Sequence, residues 1–203
     1  MPRAAYGLAR RNGLRQDAAM IVHTIGHSTR PFAELASLLE SARVDFLVDV
    51  RRFPRSRMNP QFNAEALGPA LAGHGIGYRH LPSLGGRRGG ALTPEPSRNT
   101  LWREAAFRAY ADYAETPEFG AGLAELIALA GEHSVAIMCA EAVWWRCHRR
   151  IVTDYLIARG VEVRHILGAD KIEPAHLTEG AKAEPDGTLL YRDPKEPPRL
   201  PGF

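Results

Sequence analysis

Short apolar segments that alternate with helical patterns constrain the fold of this chain more than any other feature. Three of them are Ile21-Val22-His23-Thr24-Ile25, Phe46-Leu47-Val48-Asp49-Val50 and Val135-Ala136-Ile137-Met138-Cys139. Nearly continuous apolar runs of this kind are typical of strands that are buried on both faces of a parallel sheet. Because strands that alternate with helices favour this architecture, we predict a three-layer α/β sandwich whose central, mainly parallel sheet has about five strands.

Weaker patterns complete this plan. A third strand is predicted at residues 78–81 and a last core strand at residues 161–166. Helical spacing of apolar residues begins near Pro31, Asn63, Arg103, Pro117 and Arg149. Residues 82–99 are rich in Gly, Pro and Arg and predict a long loop. A small C-terminal hairpin is predicted within residues 182–191, with its turn at Pro185-Asp186-Gly187.

Length and patterning also predict the domain organisation and the compartment. Residues 1–19 are basic and unpatterned, and we interpret them either as a flexible N-terminal arm or as the result of a start upstream of Met20. Residues 20–203 have the usual size of a single α/β domain. No apolar run approaches the roughly 18 residues that cross a bilayer. With only two cysteines, Cys139 and Cys147, and no signal-peptide pattern, we expect a cytoplasmic protein with free thiols.

Arginine clusters indicate an anionic ligand. The formal net charge is only +3, but Arg51, Arg52, Arg55 and Arg57 closely follow one predicted strand, and Arg149 lies after another. Guanidinium groups suit phosphate and carboxylate groups, although an isolated arginine is often only a surface ion-pair partner. Ligands of parallel α/β sheets bind beyond the carboxyl ends of the strands. The loops at that edge are predicted to be residues 26–30, 51–63 and 140–148.

The segment after the clearest buried strand carries the most reactive residue types. Cys139 lies at a strand end before a helix start, the position of the nucleophile in sulfurtransferases and cysteine phosphatases, where helix amides favour a thiolate. The loop that follows contains no glycine, which phosphate-wrapping loops usually need, so a buried and inert Cys139 is the favoured interpretation. Cys139, Cys147 and His148 match no common zinc spacing, and no metal is predicted.

Other residues of this segment are candidates for binding an anion or for acid–base chemistry on it. Glu141 is the candidate general acid or base, with a structural ion pair to Arg149 as the alternative. His148 and Arg149 fall in the first turn of the predicted helix, where cations oppose the helix dipole unless an anion binds there. We therefore expect these two residues to bind a phosphate, and we rank Glu141 above Cys139 as a functional residue.

The other two strand ends also carry polar residues. A carboxylate such as Asp49 at the end of an apolar strand is costly when it is unpaired, so we expect it to form a salt bridge to a nearby arginine or to contact the ligand. His27 and Ser28 leave the first strand towards the same predicted edge. Ser28 is either a helix cap or a ligand contact, and His27 is a candidate acid–base residue.

Four ordered motifs resemble a known family. They are Thr24-Ile25-Gly26-His27-Ser28, Asp49-Val50-Arg51 with Pro54-Arg55-Ser56-Arg57, Leu84-Gly85-Gly86, and Cys139-Ala140-Glu141 with Cys147-His148-Arg149. Over roughly residues 21–191 the chain is similar to the bacterial and archaeal family called domain of unknown function 488. The family has no established reaction, and some members carry a DNA-repair label. The resemblance therefore indicates the position of the site more than its function.

The leading hypothesis is an enzyme or ligand-processing domain that acts on a phosphate-bearing nucleotide or nucleic acid. The candidates for acid–base and nucleophilic roles are Glu141, His27, His148 and Cys139, and those for anion binding are Arg51, Arg55, Arg57, Arg149, Ser28 and Asp49. One alternative is a non-catalytic, DNA-repair-associated nucleic-acid-binding module, which would present a broad basic face rather than a pocket. The other is a rhodanese-like sulfurtransferase or phosphatase that uses Cys139. No cofactor and no membrane partner is predicted, and whether the domain is catalytic stays open.

Overall fold

The computed structural model describes residues 20–86 and 97–195 and contains a central six-stranded sheet. Its strands are β1 (Ile21–Gly26), β2 (Phe46–Asp49), β3 (Gly77–His80), β4 (Val135–Cys139), β5 (Glu162–Gly168) and β6 (Lys171–Pro174). They lie in the order β3-β2-β4-β1-β5-β6, and β6 alone is antiparallel to its neighbour. The predicted mainly parallel sheet is confirmed. The predicted arm at residues 1–19 and residues 87–96 of the predicted loop lie outside the described residues.

Helices cover both faces of this sheet. Helices α1 (Phe32–Ser41) and α2 (Ala64–Ala72) lie on one face, and α3 (Ala105–Ala114), α4 (Pro117–Glu132) and α5 (Arg149–Ile157) lie on the other. None of these helices is long and apolar enough to cross a membrane.

Alternation along the central strand β4 explains the two core layers. All five of its positions are buried. Ala136 and Met138 belong to the core cluster of α1 and α2, whereas Ile137 and Cys139 belong to the cluster of α3, α4 and α5. Successive side chains of a strand point to opposite faces, so one short apolar run supplies both clusters. The predicted three-layer sandwich is confirmed.

Two short elements complete the chain. Strand β6 adds one strand to the predicted number, and its residues Lys-Ile-Glu-Pro are all exposed, so they show no apolar pattern. This strand forms through its antiparallel pairing with β5. The predicted C-terminal hairpin is confirmed as β7 (Ala181–Ala183) and β8 (Leu189–Tyr191). Its turn contains Gly187 at a φ of 82°, a conformation that favours glycine.

The carboxyl ends of β2, β4 and β1 are adjacent in the centre of the sheet. Gly26 pairs with Cys139, and Asp49 pairs with Met138. The amide of His27 then donates a hydrogen bond of 2.9 Å to the Cys139 carbonyl, so β1 and β4 stay together as they leave the sheet. This register brings the three loops of the predicted site to one edge, where α/β sheets bind ligands.

Candidate functional site

A cleft of about 600 Å³ lies at this carboxyl edge. It is lined by residues that follow β1, β2 and β4, together with Gly86 and part of α3. The predicted site residues that line it are His27, Ser28, Arg51, Arg55, Cys139, Glu141 and His148. The predicted site residues Asp49, Arg57 and Arg149 do not line it. Seven of the ten predicted site residues therefore meet in one cleft, and the other three lie outside its lining.

Asp49 holds Arg51 in place beneath the cleft. The Asp49 carboxylate is fully buried and accepts hydrogen bonds from Arg51 Nε at 2.8 Å and from Arg51 Nη2 at 2.5 Å. The Tyr78 hydroxyl donates to the same carboxylate at 2.9 Å, and Arg51 Nη2 also donates to the Phe62 carbonyl. The expected salt bridge is thus present, and Asp49 orients an arginine without reaching the ligand space itself.

His27 supports the same arginine from the other side. Its Nδ1 lies 2.8 Å from the Ser28 carbonyl, which can only accept, so Nδ1 carries the proton. Nε2 is then an acceptor and lies 3.2 Å from Arg51 Nη1. The ring stacks on Phe62 with centroids 4.3 Å apart. Burial lowers the pKa of His27 to about 4, so the ring is neutral near pH 7 with both nitrogens engaged.

Two buried histidines predict how stability depends on pH. Burial lowers the pKa of His27 and of His165 to about 4, whereas an unfolded chain has histidines near about 6.5. Between these values the unfolded chain binds protons that the folded protein does not, so the free energy of unfolding falls as the pH drops through this window. Asp154, whose pKa burial raises to about 6, acts in the opposite direction, but it is one group against these two histidines and His23, whose pKa burial also lowers.

Urea denaturation measures this dependence directly. The unfolding midpoint is expected to be lower at about pH 4.5 than at about pH 7, and the double variant His27→Gln/His165→Gln should flatten that difference. A midpoint that rises on acidification would contradict the assignment of these two histidines as buried and neutral.

Two buried cysteines line the cleft side by side. The Sγ atoms of Cys139 and Cys147 lie 2.9 Å apart, and both thiols are free. The amide of Arg149, at the start of α5, donates to Cys147 Sγ at 3.3 Å. His148 Nδ1 lies 3.6 Å from the same sulfur, while its Nε2 donates to the Val50 carbonyl at 2.9 Å. Cys147 Sγ is thus close to three groups: the backbone amide at the start of α5, the His148 ring and the Cys139 thiol.

The two thiols differ in acidity. Burial raises the pKa of Cys139, and its hydrogen bond with Cys147 acts in the same direction. Burial also opposes ionisation of Cys147, but the hydrogen bond from Cys139 and the nearby His148 and Arg149 outweigh it, so the pKa of Cys147 lies well below that of an ordinary thiol. Cys147 is therefore the more acidic thiol of the pair. The expected burial of Cys139 is confirmed, and its lack of a nucleophilic role stays a prediction.

Arg149 lies under the cleft rather than in it. Its side chain is only 1% exposed, and its Nη2 donates to the Glu141 carbonyl at 2.7 Å. Its Nη1 donates to Thr24 Oγ1 at 3.4 Å, and its Nε has no hydrogen-bond partner within the described part of the chain. Among the described residues no carboxylate pairs with this guanidinium. The predicted contact of Arg149 with a ligand is therefore replaced by a buried position beside the cysteines.

The mouth of the cleft carries charges that are not neutralised locally. Within residues 20–86 and 97–195, no acidic side chain pairs with Arg52 or Arg146, and no cation pairs with the exposed carboxylate of Glu141. Arg55 differs, because it forms an ion pair of 3.0 Å with Glu65 at the surface. Arg57, also predicted to bind the anion, is exposed outside the cleft because its loop turns it away from the lining.

Some lining residues were not singled out by the sequence. Arg52 and Arg146 belong to charged segments in which nothing local distinguishes a lining arginine from a solvated one. Cys147 was considered only as a metal ligand, and the described residues contain no group of three or more potential ligands that could hold a metal. The Leu-Gly-Gly motif could have identified Gly86 as a lining residue. A Cβ at this position would lie 2.5 Å from the His148 ring, so only glycine fits there without a shift.

The structure is thus an α/β domain. Its central parallel strands end at an arginine-rich cleft that contains a buried pair of cysteines. The chain belongs to the family described as domain of unknown function DUF488, whose sequence profile matches residues 31–156. This range runs from the start of α1 through most of α5 and includes the loops after β2 and β4. No curated protein and no solved structure matches the chain.

Proposed function

We propose that this chain is an enzyme that acts on a phosphate-bearing nucleotide or nucleic-acid substrate in the cleft at the carboxyl edge. One observation carries the proposal: Arg52 and Arg146 share the cleft with Glu141, and none of the three has a charged partner among the described residues. Unpaired cations beside an unpaired carboxylate suit binding of an anion next to a general acid or base.

Phosphate binding is assigned to the arginines that face the cleft. Arg52 and Arg146 supply guanidinium groups that pair with no carboxylate in the described part of the chain, and Arg55 also lines this space. Arg51 donates to Asp49, His27 and Phe62 and contributes a fixed positive charge at the base of the site. Planar guanidinium groups bind phosphate oxygens in pairs, which favours this ligand over a neutral one.

The chemical step is assigned to Glu141. Its carboxylate lines the cleft two residues after the end of β4, and the Arg149 guanidinium holds the backbone of this turn through the Glu141 carbonyl. His27 is assigned a positioning role, since its acceptor nitrogen faces Arg51. Ser28, at a φ of 50°, lines the cleft and offers a hydroxyl to the substrate. We place the reaction in the cytoplasm.

A binding and turnover series tests the proposal. The panel comprises nucleoside mono-, di- and triphosphates and a short single-stranded oligonucleotide, with binding followed by calorimetry and products by mass spectrometry. Arg52→Gln and Arg146→Gln should each weaken binding by about tenfold or more, because a hydrogen bond to a charged group contributes about 1.5–3 kcal/mol. Glu141→Gln should retain binding and lose about a hundredfold in turnover.

Arg57→Gln is the matched control, since it removes the same charge from the same loop outside the cleft. It should bind the panel as the parent does. Unchanged turnover in Glu141→Gln, or no binding of any panel member, would overturn the proposal. Binding of the oligonucleotide with a steep salt dependence and no turnover would favour the alternative of a non-catalytic, DNA-repair-associated nucleic-acid-binding module.

A further inference from the structure

The buried guanidinium of Arg149 lacks an obvious counter-charge. A buried cation is costly without a compensating anion, and no carboxylate of the described residues pairs with this side chain. The thiols of Cys139 and Cys147 are close enough to this guanidinium to interact with it electrostatically and by hydrogen bonding. A thiolate in this pair would supply the missing charge, which gives Arg149 a reason to be buried at this position.

Each sulfur accepts one backbone amide at 3.3 Å, but Cys139 Sγ also has the Glu141 carbonyl at 3.8 Å to accept its proton. Geometry therefore favours Cys147 as the sulfur that carries the charge. Its Sγ accepts from the Arg149 amide at 3.3 Å and faces His148 Nδ1 at 3.6 Å. The remaining contact is with Cys139 Sγ at 2.9 Å, the natural place for the one proton that the pair retains. Thiolates are stabilised at helix starts and beside cationic side chains, and both features meet at this sulfur.

We propose that Cys147 is a hydroperoxide-reactive thiolate and that Cys139 is its resolving thiol. The site is distinct from the acid–base role of Glu141 and does not depend on the proposed phosphate substrate. It takes a small hydroperoxide, which reaches the two sulfurs from the cleft that both of them line.

The chemistry balances within these groups and the peroxide. The Cys147 thiolate attacks one peroxide oxygen, an S–O bond forms, the O–O bond breaks, and the departing oxygen takes the electron pair. It leaves as alcohol or water by taking one proton from solvent, which replaces the proton that Cys147 released when it ionised. The Cys139 sulfur then attacks the sulfenic acid at Cys147, the S–O bond breaks, and water leaves with the Cys139 proton. Two electrons pass from the thiol pair to the peroxide, and the product is a Cys139–Cys147 disulfide.

Peroxide titration of the folded chain tests this assignment. One equivalent of hydrogen peroxide should consume both thiols of the parent protein and yield the Cys139–Cys147 disulfide by peptide mapping. Cys139→Ser should stop at a sulfenic acid on Cys147, which dimedone traps. Cys147→Ser should react about tenfold more slowly or slower still, because burial raises the pKa of the remaining Cys139 thiol and even an unperturbed thiol is only a few per cent ionised near pH 7.

A second measurement needs no variant. Brief exposure of the parent protein to peroxide in the presence of dimedone should place the label on Cys147 before it appears on Cys139. Three results would each overturn the proposal: a first label on Cys139, equal rates in Cys147→Ser and the parent, or a folded protein that reacts no faster than its urea-unfolded form. Circular dichroism of both serine variants establishes that the rates compare folded proteins.

Discussion

Replacing Asp49 by asparagine should lower the free energy of unfolding by about 3–5 kcal/mol, the usual cost of removing one partner of a buried ion pair. The variant keeps the shape of the side chain but leaves Arg51 buried with its charge uncompensated. It also places an amide N–H where Arg51 and Tyr78 both donate, so two hydrogen bonds lose their acceptor. Denaturant unfolding monitored by circular dichroism gives the difference.

The surface pair of Arg55 and Glu65 is the control for this experiment. These side chains are 79% and 67% exposed, and Glu65→Gln should change stability by no more than about 1 kcal/mol. The double variant Asp49→Asn/Arg51→Gln should recover part of the loss, because it removes the uncompensated charge. Similar effects of Asp49→Asn and Glu65→Gln would contradict the buried, charge-paired description of Asp49.

Replacing Gly26 by alanine should lower the free energy of unfolding by about 3 kcal/mol, the upper part of the usual range for overpacking. A Cβ at this position would overlap the Glu141 carbonyl oxygen and would lie 2.9 Å from Arg149 Nη2. The obstacle is backbone, which cannot rotate away as a side chain can. The turn after β4 must therefore move, and the cleft that Glu141 lines should change with it.

Gly120 provides the matched substitution. It lies in helix α4, where an added methyl group would meet nothing within 4 Å, so Gly120→Ala should stabilise the protein by about 0.5–1 kcal/mol through higher helix propensity. The two alanine variants should thus shift the unfolding midpoint in opposite directions. A Gly26→Ala protein as stable as the parent would show that the turn does not approach β1 as closely as described.

The sheet edge was predictable because it depends on local patterns. Apolar runs identified β1, β2 and β4, and helical spacing identified the helices between them. The rule for parallel sheets then placed His27, Arg51 and Glu141 at one cleft. Strand β6 was not predicted because its exposed residues show no apolar pattern. It forms through its antiparallel pairing with β5.

The roles of single side chains depend on tertiary contacts. Arg57 and Arg149 have the same side chain and both follow a strand, yet one is exposed outside the cleft and the other is 1% exposed beneath it. The acidity of Cys147 likewise arises from its contacts with Cys139, His148 and the start of α5.

Patterns in the amino-acid sequence were enough to predict the α/β layers, the edge at which the cleft lies and the residue types available there, because strand and helix patterns depend on near neighbours along the chain. The tertiary structure was needed to establish which arginines face the cleft, which cysteine has the lower pKa and which carboxylate has no cationic partner among the described residues. Burial, charge pairing and pKa depend on groups that are distant in sequence, such as His27 beside Arg51 and Arg149 under the Glu141 turn, and these meet only when the sheet is assembled.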